Sequence, residues 1–207
     1  LFVSRADSAS RNSNYEIKFN HLTIDDGLSQ NGILSILQDK KGFMWFATQD
    51  GLNCYDGKKF TIYKHDYADQ NSLIHNSLSR IYEDAEGNIW IAIEDVGGLQ
   101  YFNPATQKFN LLNHDPENPN SLSHNMVNCI IQSREGFFWI GTENGLNRYD
   151  HRTKQFRHFF HDPLNENSLA GNRINDVLED SQGNIWIATN GAGLDCYDPK
   201  KNTFTHY

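Results

Sequence analysis

The sequence predicts an all-β protein made from one four-stranded unit written four times. Three observations predict it. The six residues GNIWIA stand at 87–92 and again at 183–188, and GFMWFA at 42–47 and GFFWIG at 136–141 are looser copies. Those stretches hold every tryptophan of the chain, Trp45, Trp90, Trp139 and Trp186, at intervals of 45, 49 and 47 residues. Each unit contains four short runs rich in aliphatic, aromatic and β-branched residues, divided by turn residues, which is the pattern of antiparallel strands.

Residues 1–14 precede the pattern. LFVSRADSAS joins a short apolar start to small residues and has no initiator methionine. Two readings stay open: the trimmed end of an export signal followed by a flexible lead, or a cloning remnant. YEIKFNHL at 15–22 then reads as a fourth strand without a unit of its own, Phe19 standing where Phe60 stands later. Residues 15–30 are therefore assigned as a spare outer strand and its link.

The units span 31–75, 76–124, 125–171 and 172–207. In each, the first run carries a pair of aliphatics, such as Ile33 and Ile36 or Leu78 and Ile81, and ends in DKKG, DAEG, SREG or DSQG. An Asp or Ser opening such a turn accepts a backbone hydrogen bond from two residues on, and the closing Gly takes a positive φ. Gly42, Gly87, Gly136 and Gly183 are thus predicted backbone necessities. The second run holds the tryptophan and ends in a tight Asp/Asn/Gly turn. The third ends on Tyr55, Phe102, Tyr149 or Tyr197, and the fourth begins at Phe60, Phe109, Phe156 or Phe204. From each of the first three of these phenylalanines to the Asn opening the next unit (Asn76, Asn125, Asn172) is 16 residues, so the connection is part of the architecture.

A four-stranded sheet with apolar residues on both faces is not stable alone in water, so successive sheets must stack. Four strands per unit of this length is the signature of β-propeller blades. The tryptophan recurs because each blade needs a bulky ring to fill the wedge against its neighbour. Four complete blades plus a spare strand read as an arc of a larger ring; a closed four-blade ring is the alternative.

Composition excludes several classes. With 38% hydrophobic and 13% aromatic residues the chain is not disordered, and 26 acidic against 18 basic residues give a net charge of -8 with no Lys/Arg run for nucleic acid to meet. No stretch reaches the roughly 18 apolar residues of a membrane helix. The three cysteines include Cys54 and Cys196 at equivalent repeat positions, the mark of small buried hydrophobes rather than a bridged pair.

The order EDxxGNIWIAT, GLNxYD, FxxYxHDPxNxNSLSxN resembles the two-component regulator propeller repeat, and the resemblance runs from Phe19 onward. It implies seven-bladed propellers in the extracytoplasmic sensor region of a bacterial hybrid histidine kinase. The implied location is periplasmic, the implied ligand a glycan fragment or other small polar molecule, and the implied partners are the remaining blades, downstream domains and a possible second copy. The kinase would lie elsewhere in the parent protein.

His65-Asp66, His114-Asp115 and His161-Asp162 are in register, but ligands a blade apart on outermost strands do not converge on one ion. They are expected to brace the crossing between blades through side-chain to backbone bonds, helped by the Asn-Ser of NSL. The oxygen-rich loops that follow lack the Gly and bidentate Glu of an EF-hand. No metal, cofactor or catalytic residue is assigned. Ligand-binding candidates are polar residues that vary between copies on the face where the links and the second-to-third strand turns emerge: Gln30, His75, His124 and Arg173 on the links, and Asp50, Glu94, Asp95, Glu143 and Asn190 on the turns. Arg80 and Asp176 on inner strands are candidates to line the axis. The function expected is ligand sensing without catalysis; the alternatives are an assembly scaffold without a small ligand, and a propeller lyase or glycosidase.

Overall fold

The computed structural model describes residues 19–94 and 97–207. Among the described residues, sixteen strands form four antiparallel sheets of four. The first holds β1 (Ile33–Gln38), β2 (Met44–Thr48), β3 (Gly51–Tyr55) and β4 (Phe60–Tyr63); the second holds β5 (Leu78–Glu83), β6 (Ile89–Ile93), β7 (Leu99–Asn103) and β8 (Lys108–Leu112). The third holds β9 (Val127–Gln132), β10 (Phe138–Thr142), β11 (Gly145–Asp150) and β12 (Gln155–Phe159), and the fourth β13 (Ile174–Glu179), β14 (Ile185–Thr189), β15 (Gly193–Asp198) and β16 (Thr203–His206). Strands pair in chain order within every sheet, so each blade is an up-and-down meander. Inner strands pack in succession, β1 on β5, β5 on β9 and β9 on β13, so blades stack first on second, second on third and third on fourth. Among the described residues the first and fourth share no strand packing of comparable extent, so the four blades form an open arc.

The core is three wedges between blades. Trp45 clusters with Leu78, Ile89, Ile91 and Phe102 of the second blade, Trp90 with Ile130, Phe138 and Tyr149 of the third, and Trp139 with Ile174, Val177, Ile185 and Tyr197 of the fourth. Each indole meets an aromatic ring of the next blade, Trp90 and Phe138 having centroids 4.3 Å apart. Trp186, at the end of the series, is half-buried and stacks on Tyr207 of its own blade.

The hairpin between first and second strands is closed by a carboxylate as well as a glycine. Gly42 has φ 91°, which a side chain would strain. Asp39 accepts the N–H of Lys41 and of Phe43 on Oδ1, both at 2.9 Å, and the Trp45 indole N–H on Oδ2 at 2.9 Å. Asp84 and Asp180 repeat the indole bond to Trp90 and Trp186 at 2.8 and 3.0 Å. The Trp186 indole and the Asn184 side chain and backbone hold the Asp180 carboxyl well below the usual carboxylate range. In the third blade Ser133 departs from the expected turn: its hydroxyl donates to the Phe137 carbonyl at 3.2 Å.

The crossings between blades follow the expected bracing. His65, His114 and His161 turn Nδ1 to the carbonyls of Leu73, Leu122 and Leu169, and their backbone N–H groups bond Asn76, Asn125 and Asn172. Asp66, Asp115 and Asp162 donate backbone N–H to Ser72, Ser121 and Ser168 at 2.9 Å. Of the lead and spare strand expected at 1–30, residues 1–18 lie outside the described residues. Phe19–Leu22 run without regular structure, and Phe19 is 79% exposed. Ile24–Asp26 form one turn of 3-10 helix capped by Thr23.

Candidate functional site

The two ends of the arc are built differently. One end, the turn face, carries the hairpins between first and second and between third and fourth strands. The other, the link face, carries the second-to-third hairpins and the crossing links. These are bonded together: Gly51 N–H to Asn76 O at 2.8 Å, Glu143 N–H to Met126 O at 3.0 Å and Asn190 N–H to Arg173 O at 2.8 Å.

On the link face every inner strand carries one residue too many for its partner. Register passes from Ile33 opposite Thr48 to Ser35 opposite Ala47, leaving Leu34 unpaired, and in the same way leaves Ser79, Asn128 and Asn175 unpaired in the next three blades. Such a bulge interrupts the alternation of side chains and re-aims one of them. Ser79, Asn128 and Asn175 all line a cleft of about 370 Å³, together with Arg80, Glu94, Met126 and Arg173.

Hydrogen bonds hold the polar groups of this mouth. Arg173 Nε lies 3.0 Å from Glu143 Oε2, and Asn128 donates to Glu143 Oε1 at 2.9 Å and to the Ile174 carbonyl at 2.9 Å. Ser77 donates its hydroxyl to Glu94 Oε2 at 3.0 Å. The Arg173 side chain is 56% exposed, and its Nη groups have no hydrogen-bond partner among the described residues. A fork of free guanidinium donors beside oriented carboxylates suits hydroxyl groups and carboxylates. Cys129 lies in the inner strand between Arg80 and Asp176; burial, aided by the Asp176 charge, pushes its thiol up to about 12, which keeps it from acting as a nucleophile. Among the described residues no group of three or more His, Cys, Asp or Glu is placed to hold a metal.

Of the sequence-predicted residues, the structure gathers Glu94, Glu143 and Arg173 at this mouth. Asp50 is tied to Lys64 at 2.6 Å, and Gln30 turns its side-chain oxygen to the Gly32 N–H. His75 and His124 accept the Ser77 and Met126 N–H groups at 3.2 and 3.1 Å, so they brace their own links. Asn190 is exposed at its hairpin tip, and Asp95 lies outside the described residues. Arg80 lines the cleft; Asp176 is exposed on the inner strand. Sequence reasoning missed Ser79, Asn128 and Asn175, because a bulge leaves no mark in an alternating pattern.

The sequence profile of the two-component regulator propeller family matches residues 27–50, 72–95, 121–144 and 168–191. Among solved structures, the extracellular domain of a putative hybrid two-component system from B. thetaiotaomicron is 32% identical, with a TM-score of 0.80 over 91% of this chain and 26% of that one. A protein named histidine kinase P4, from Formosa agariphila, is 44% identical over 64 residues, 31% of this chain and 4% of its own length. Virginiamycin B lyase from Staphylococcus aureus, 14% identical with a TM-score of 0.63 over 85% of this chain and 55% of its own, shares the fold. The chain therefore spans about a quarter of the first of these and a small part of the second.

Proposed function

We propose that this chain, four stretches of which match the two-component regulator propeller repeat, is part of an extracytoplasmic sensing propeller and binds a small polar ligand, of glycan-derived chemistry, at the link-face mouth. The observation that carries this reading is the placement of three bulged polar or hydroxyl side chains, Ser79, Asn128 and Asn175, around the Arg173–Glu143 pair. These positions lie outside the ladder, and Arg173 keeps donors free for hydroxyl or carboxylate oxygens. The likeness to a hybrid two-component extracellular domain supports an extracytoplasmic, periplasmic location, and no helix among the described residues is long and apolar enough to cross a membrane. The signal would pass through changed packing between blades, further domains or protomers; phosphotransfer would belong to other parts of a parent kinase.

Calorimetry against pools of oligosaccharides tests the reading. Saturable heat that Arg173→Ala reduces at least severalfold, without turnover of the sugar, is the expected result. Product formation would instead favour a lyase or glycosidase, and an absence of heat an assembly scaffold.

A further inference from the structure

The third repeat breaks a rule that the other three keep. In those, one carboxylate oxygen of Asp39, Asp84 or Asp180 accepts the repeat's indole N–H, and the other accepts the backbone N–H four residues on, at 2.8–2.9 Å. Ser133 occupies that place in the third repeat and is too short and too few in oxygens to do both. Trp139 is only 2% exposed, and its indole N–H has no hydrogen-bond partner among the described residues. The ring is buried while its N–H edge stays open to solvent, so the donor is available to a bound group.

Trp139 opens onto a cleft of about 460 Å³ between the third and fourth blades on the turn face, at the opposite end of the blades from the mouth described above. The same repeat that loses the acid gains a cation, and the fourth blade adds another. Arg148 stands where the other repeats have Cys54, Tyr101 and Cys196, its guanidinium 4.3 Å above the Phe137 ring. Lys200 enters from the β15–β16 turn. Neither makes an ion pair among the described residues, whereas Glu179 is taken up by Arg134 (3.4 Å) and Asp198 by Lys201 (3.0 Å). Glu135 is the remaining acid on the wall.

We propose that this cleft binds a small carboxylate ligand, whose carboxylate takes the place that Asp39, Asp84 and Asp180 fill in their own repeats. It accepts the Trp139 indole N–H, while Arg148 and Lys200 face its charge and the cleft volume receives the ring or chain that carries it. The site is independent of the link-face mouth and involves none of its residues.

Indole N–H peaks in ¹H–¹⁵N spectra report on this directly, and Trp139→Phe identifies the relevant one. Titration with sodium glucuronate is expected to move the Trp139 peak saturably, while glucose leaves it in place. Ser133→Asp supplies the carboxylate internally: the peak shifts toward those of Trp45 and Trp90 without ligand, and the response to glucuronate disappears. Should that variant fail to fold, Arg148→Gln is expected to weaken the glucuronate response severalfold. A peak that ignores glucuronate, that moves equally with glucose, or that still responds in Ser133→Asp overturns the proposal.

Discussion

The second and fourth blades present the same surface to different surroundings. Tyr82, Trp90 and Tyr101 stand side by side across β5, β6 and β7, and Leu178, Trp186 and Cys196 occupy the same register across β13, β14 and β15. On the second blade this surface is closed by the third, and Trp90 is fully buried. On the fourth no described blade follows, Leu178 is 64% exposed and Trp186 is half-buried. The first blade shows the converse on its other side, where Leu34 and Ile36 are exposed. The difference shows that an indole's contribution belongs to the interface and not to the blade that carries it, because dispersion and burial both need the partner's atoms.

The sharpest way to break this comparison is a pair of truncations. Trp90→Ala should destabilise the protein by roughly 3–5 kcal/mol, through lost burial and the cavity left behind. Trp186→Ala should cost less, on the order of 1–2 kcal/mol, since no described blade packs against it and part of its surface meets water. Denaturant melts of the two variants check the ratio, and equal losses would refute it.

The acids behind the rings extend the comparison. Asp84 is buried and accepts the Trp90 indole, the Asn88 amide and the Asn88 backbone N–H, so Asp84→Ala should cost roughly 2–4 kcal/mol by leaving those donors without an acceptor. Asp180→Ala, at the more open wedge, should cost less by the same measurement.

A smaller effect separates the blades by pH. The residue that holds the incoming link is Asn53 or Asn147 in the first and third blades but Asp195 in the fourth, where it is fully buried 2.7 Å from His206 Nδ1. The bond to Asp195, then that to the Glu166 carbonyl, holds the His206 imidazole above its ordinary range. A raised value in the folded protein means stability that is present below about pH 6.5 and is lost as pH climbs through the folded value. The melting temperature should therefore decline across that window, and Asp195→Asn should flatten the decline. Least of all should change with Lys64→Ala, which removes an exposed pair with Asp50 and should shift stability by less than about 1 kcal/mol in the same melts.

Much of this architecture was legible from residues alone. The tryptophan intervals, the closing glycines and the constant link after Phe60, Phe109 and Phe156 each express one local requirement repeated four or three times, and repetition separates requirement from accident. The His-Asp braces were legible for the same reason. The candidate mouth was only half legible. Glu94, Glu143 and Arg173 stood out as varying loop residues, but whether a polar side chain faces a cleft or folds back on its own link, as His75 and His124 do, depends on distances that one sequence does not contain. The carboxylate of Asp39 was readable as a turn former, yet its second oxygen reaching Trp45 was not, because that bond joins two strands through a side chain.

The unpaired residue near the start of each inner strand has a consequence for how such a protein can change over generations. Leu34, Ser79, Asn128 and Asn175 are chemically unlike one another, yet the ladders on either side of them keep the same alignment. A point substitution there alters what the opening displays while the hydrogen-bonded scaffold stays as it was. What that end of the strand displays and how the strand folds can thus be selected nearly independently.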